Sequence, residues 1–186
     1  YPASLVSLRS CSHSVLKAFS HMLPSPDDRA EVSVEAILVR YASGGLVQDG
    51  IVDGAVFKSV DGRAFRTRPD DAGELSVNEL GIFSEDEEAD LHEIRRIRAQ
   101  WMTIRRTGRF AQIAVKDVEA CAAEAAVAFG YWSTPLIAAE EQGYEHCEDD
   151  PSHAVIFGIP DSEDDSSVAL RDMIAMKVSA LHPGLI

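Results

Sequence analysis

Residues 84–115, SEDEEADLHEIRRIRAQWMTIRRTGRFAQIAV, place a helical pattern directly before a strand pattern, and this junction decides the fold class. Ser84 and Glu87 have the spacing of a capping box, and Leu91, Ile94, Ile97 and Trp101 recur at steps of three and four. The spacing predicts a helix over about 84–105, with Trp101 on its apolar stripe. After Gly108, the residues Phe110, Ile113 and Val115 follow a strand-like pattern.

Downstream, KDVEACAAEAAVAF is alanine-rich and helical in its first part, whereas FGYWSTPL is aromatic, β-prone and ended by Pro135. SHAVIFGI reads as a buried strand. DSEDDSSVALRDMIAMKVSAL opens with acidic residues and continues with Val168, Met173, Ile174, Val178 and Leu181, which suits a C-terminal helix. Upstream, AEVSVEAILVRYA has helical spacing at Val34, Ile37, Leu38 and Tyr41 and is stopped by Gly44 and Gly45. GIVDGAVFKSVDGRAFRTRP carries Asp-Gly turn signals and reads as a hairpin region. ELSVNEL is either a short strand or a turn. Helices and strands mix without a βαβ rhythm, so the expected class is α+β: one compact domain, a small mixed or antiparallel sheet and two or three helices packed on it.

The 186 residues suit one domain, expected over 24–186 after an extension over 1–23. The first 21 residues are Ser-rich and hold Arg9 and Lys17 but no acidic residue. That composition loosely resembles a transit peptide, and a start of the folded part at Met22 fits equally. Cys11, Cys121 and Cys147 lie far apart and form no CxxC pair, which favours a reducing, cytoplasmic setting. No apolar run reaches the roughly 18 residues that a membrane span needs.

A formal charge of −14 disfavours nucleic acid and anionic membranes and favours a protein partner with a basic surface. The charge is uneven, because residues 63–116 hold ten Arg or Lys against ten Asp or Glu, while residues 117–186 hold two against fourteen. The densest polar cluster, FRTRPDDAGELSVN at 65–78, contains Arg66, Arg68, Asp70, Asp71, Ser76 and Asn78. In an extended segment Arg66 and Arg68 share a face, where two guanidiniums can grip a phosphate or carboxylate. The competing reading is an exposed hairpin whose arginines pair with Asp70, Asp71 or Glu74. His153 opens an apolar strand beside Ser152 and is the candidate general acid or base, with Asp149 and Asp150 expected to favour its charged form. The competing reading is a half-buried histidine bonded to a loop carbonyl.

His146, Cys147 and His153 lack the spacing of a zinc site, and no cofactor motif is present, so neither metal nor cofactor is expected. The arginines at 95, 96, 98, 105, 106 and 109 follow four acidic residues, a gradient the helix dipole favours and a weaker sign of nucleic-acid contact. Two functions follow. The first is a non-catalytic interaction or regulatory module engaging a protein partner. The second is a small enzyme or ligand sensor for a nucleotide or phosphorylated compound, with an arginine anion subsite and His153 as general acid or base.

The order F-x-x-R-P-x-D, then LSVN, GRFAQIAV and PSHAVI, resembles a set of small uncharacterised bacterial proteins over about Phe57 to Ala175. The resemblance implies a compact cytoplasmic domain that brings Arg68, Ser76, Asn78, Ser152 and His153 together. It implies no activity.

Overall fold

The computed structural model describes residues 29–52, 55–67 and 73–185. Eight strands and three α-helices follow one another along the described residues: β1 (Ile37–Ala42), β2 (Val47–Val52), β3 (Ala55–Val60), β4 (Glu74–Glu79), α1 (Glu87–Trp101), β5 (Arg109–Ala114), α2 (Val115–Glu124), β6 (Gly130–Ser133), β7 (His153–Phe157), α3 (Asp165–Met176) and β8 (Ala180–Pro183). Six strands form one sheet in the order β6-β7-β4-β1-β5-β8, and β2 pairs with β3 as a separate hairpin. Every pairing is antiparallel. The expected α+β class holds, with the sheet antiparallel and larger than its sequence signals suggested.

Both faces of the sheet are covered. On one side Leu38, Leu75, Val77, Ala111, Ile113 and Ile156 pack with Val118 and Cys121 of α2 and Leu170 and Ile174 of α3. On the other, Val39 and Phe110 pack with Leu91 and Ile94 of α1. Successive strand residues point to opposite faces, so Leu38 and Val39 entering different clusters places a helix layer on each side of β1.

That double burial corrects the helix expected over the segment AEVSVEAILVRYA. Its residues 37–42 form a central strand, registered along its whole length with β5 from Ile37↔Ala114 to Ala42↔Arg109. A strand covered on both faces has no polar side, and its near-continuous apolar run mimics helical spacing. β8 is a second correction. The helix expected through Leu181 ends at Met176, and the chain then pairs back on β5 from Gln112↔Ala180 to Arg109↔Pro183. In the hairpin region, Asp49-Gly50 lies inside β2 rather than at a turn.

The long helix starts later than expected. Asp86, not Ser84, is its cap, accepting from the Ala89 amide at 2.8 Å, while Ser84 Oγ accepts from the Asp86 amide at 3.1 Å. Buried Asp90 reaches back from the first turn and accepts from the amides of Gly81, Phe83 and Ser84 at 2.9, 2.7 and 3.1 Å. Asp86→Ala should therefore lower the unfolding free energy by about 1 kcal/mol in a urea titration, with Ser84→Ala costing less. Equal losses would return the cap to Ser84.

Trp101 is only partly buried and does not join the core expected for it. Its ring stacks on Tyr144 with centroids 5.0 Å apart, and its Nε1 donates to the Glu148 carbonyl at 2.9 Å. Arg96 grips the Glu148 carboxylate from the same helix, with Nη2 at 2.9 Å, and Gln100 donates to that carboxylate at 3.0 Å. The C-terminal half of α1 thus clamps the acidic segment before β7. Among the described residues, no helix is long and apolar enough to cross a membrane.

Candidate functional site

The site begins with a defect in the sheet. β1 and β4 pair at only two positions, Leu38↔Glu79 and Val39↔Asn78, and then part, whereas β1 stays registered with β5 for all six residues. Arg40 lies at the parting. Its Nε donates to the Ala64 carbonyl in the turn after β3 at 3.2 Å and its Nη1 to the Ser76 carbonyl of β4 at 2.6 Å, so the side chain serves backbone acceptors on both sides of the opening.

Around this opening lies a cavity of about 920 Å³, lined by Arg40, Arg63, Arg66, Arg98 and Arg105 together with Tyr41, Thr67, Ser76 and Asn78. No Asp or Glu stands among its described lining residues. Five guanidiniums around one cleft are unexpected on a chain of charge −14. Among the described residues, Arg63, Arg66 and Arg98 have carboxylate partners outside the lining. Arg63 pairs with Asp61 at 2.8 Å, Arg66 with Glu163 at 2.6 Å, and Arg98 stands 3.6 Å from Asp150. The Arg105 guanidinium has no hydrogen-bond or ion-pair partner among the described residues, while its backbone amide donates to the Tyr41 hydroxyl at 2.8 Å. Burial pushes the pKa of Arg98 below its ordinary value and Asp150 pushes it back up. Thr67 is 1% exposed, and its Oγ1 finds no partner among the described residues.

Behind the lining runs a buried polar network joining β4 to β7. Asn78 on β4 lies opposite His153 on β7, and Ser76 opposite Val155, so Ser76, Asn78 and His153 share a face. The Asn78 side-chain amide donates to Asp150 Oδ2 at 2.9 Å and to Ser152 Oγ at 2.8 Å, and Ser152 Oγ donates to Asp150 Oδ1 at 2.7 Å. His153 Nδ1 lies 2.7 Å from the Thr134 carbonyl, an acceptor only, so Nδ1 carries the proton. Nε2 is then the acceptor for the Ser76 hydroxyl, 2.8 Å away.

The network corrects the expected charge of His153. Burial pushes its pKa down to about 4; the bond to the Thr134 carbonyl opposes this most, Arg98 pushes the same way as burial, and Asp150 opposes more weakly, so the ring is neutral near pH 7. Asp149 does not act on the ring as expected, being engaged with the Ala138 amide at 2.8 Å.

Two hydrogen-bonded groups therefore lie side by side on β4 and β7, Asn78 with Ser152 and Asp150 in one and Ser76 with His153 and Thr134 in the other; Ser76 and Asn78 also line the cleft, and Arg66 lines the same cleft. Arg68, Asp70 and Asp71 lie outside the described residues. Glu74, a candidate partner for these arginines, instead pairs with Arg29 at 2.6 Å. Cys147 Sγ donates to the Gln100 carbonyl at 3.4 Å, and among the described residues no three His, Cys, Asp or Glu gather as a metal site would need. Arg40, Thr67 and Thr134 join the site without having been singled out from the sequence, whereas Arg98 and Arg105 were read there only as part of an arginine stretch and Asp150 only as a neighbour of His153. No known protein family, no curated protein and no solved structure matches this chain.

Proposed function

We propose that the protein binds a small phosphorylated compound in the arginine-lined cleft and works as a ligand-binding regulatory module. The observation that carries this reading is the convergence of five arginines on a cavity whose described lining holds no carboxylate. A cleft of one sign in low-dielectric walls concentrates ions of the other sign, and guanidiniums suit phosphate oxygens because they donate in pairs. Thr67, Ser76 and Asn78 supply polar contacts at the same wall.

Arg105 is the handle for a test, since its loss removes charge without unpairing a described carboxylate. Calorimetric titration of the full chain with inorganic pyrophosphate at low salt should show binding that weakens as salt is raised. Arg105→Ala should weaken it about tenfold, the equivalent of one charge-assisted hydrogen bond of about 1.4 kcal/mol. Absence of binding, or equal affinity in the variant, would refute the cleft as an anion site. In that event the acidic stretch over 117–186, with two basic residues against fourteen acidic ones, supports the competing reading of a basic protein partner.

A further inference from the structure

Among the described residues lining the cleft, Ser76 is the one whose side chain hydrogen-bonds His153, its hydroxyl lying 2.8 Å from Nε2. We propose that Ser76 is a nucleophile that takes a phosphoryl group from a phosphate monoester held in the cleft, with His153 as the base that receives its proton. The proposal rests on the cleft being a phosphate site.

Three observations converge on it. The Thr134 carbonyl fixes the proton on Nδ1 and leaves the Nε2 lone pair facing Ser76, the orientation that a base for a serine hydroxyl requires. A backbone carbonyl here holds the ring as a carboxylate does in other serine-histidine pairs. Arg40 Nη1 lies 2.6 Å from the carbonyl oxygen of Ser76 itself, placing a fixed positive charge next to the nucleophile, where a phosphoryl group gains charge in transfer. Burial keeps the imidazole unprotonated near pH 7, so Nε2 is open to the Ser76 proton, and the negative charge of a phosphate bound beside it would raise the basicity that burial lowers.

The step balances with water as the only co-reactant. Ser76 Oγ bonds to phosphorus as the P–O bond to the alcohol breaks, the Oγ proton passes to His153 Nε2, and the leaving alkoxide takes that proton. Water then attacks the phosphoserine and gives a proton to His153. The P–Oγ bond breaks, Oγ recovers the proton, and orthophosphate leaves. The sum is a monoester plus water giving an alcohol plus phosphate.

p-Nitrophenyl phosphate is the probe. The full chain should release p-nitrophenolate, and rapid acid quenching followed by peptide mapping should place one phosphoryl group on Ser76. Ser76→Ala should abolish the label, and His153→Gln should slow release by at least about 100-fold. If Ser76→Ala fails to fold, the site of the label in the unsubstituted protein decides. A label elsewhere, or release unchanged in Ser76→Ala, overturns the proposal. Pyrophosphate binding that Arg105→Ala weakens, with no release and no label, overturns the dyad and leaves the binding cleft standing. No binding of any kind overturns both.

Discussion

Asp150→Ala should cost the fold about 3–5 kcal/mol, because it strips the only carboxylate from a buried polar network and leaves a cation behind. Asp150 is 0% exposed and serves four donors: the Asn78 amide, the Ser152 hydroxyl, the Ser152 amide at 3.2 Å and, at the longer distance of 3.6 Å, Arg98. Its own backbone closes a bridge with Leu136, at 2.8 Å in one direction and 3.0 Å in the other. Alanine keeps these backbone bonds and removes every contact of the carboxylate. Asn78 retains Ser152 as an acceptor, but Arg98, 13% exposed, loses its counter-charge. Asp150→Asn should cost less, since one carbonyl oxygen remains to accept. Adding Arg98→Met to Asp150→Ala should recover part of the loss by removing the stranded charge. Urea unfolding of the three variants checks this. A loss under about 1 kcal/mol for Asp150→Ala would mean that water, not Asp150, satisfies these donors.

The same carboxylate shows what could not be seen in the sequence. CEDDP reads as a solvated acidic run, and composition cannot tell that its third acidic residue turns inward while Glu148 stays out on Arg96. What separates them is the bridge to Leu136, a contact across fourteen positions that leaves no local signal. Where a segment meets solvent on one side its pattern survives, and α1 and α3 were legible for that reason. β1 was misread because helices cover both its faces, and β8 because four residues pairing at an edge carry too little pattern.

The candidate site was half legible for a related reason. Ser76, Asn78, Ser152 and His153 are polar residues inside or beside apolar runs, and the sheet has to satisfy them somewhere, so the alternation of LSVN and SHAVIF predicts that they need partners. Which partners they take depends on β4 and β7 being adjacent with Asn78 opposite His153. The arginines of the cleft come from β1, from the turn after β3, from α1 and from the segment beyond it. No spacing rule connects those positions. They converge only because β1 and β4 part after two paired residues, a feature set by tertiary packing.

His153 makes the second large effect, a dependence of stability on pH. Its pKa is held near 4 in the folded chain against 6.5 when unfolded, chiefly by burial. Between those values the unfolded chain binds a proton that the folded chain refuses, so stability rises with pH across the window. The contribution is complete above about pH 6.5, declines as pH falls from there to about 4, and amounts to about 3 kcal/mol at the ordinary conversion of 1.36 kcal/mol per pKa unit. His182, which burial also holds low, adds to the slope in the same direction, so the parent curve alone does not isolate His153. Comparison with His153→Gln does. Glutamine can still bond Ser76 but has no proton to take up. Unfolding free energies measured from pH 4 to pH 7 should therefore fall less steeply toward acid in the variant, with the two curves converging by about 3 kcal/mol as pH drops. Parallel curves would show that His153 titrates alike in both states, and the neutral ring held between Thr134 and Ser76 would lose its support.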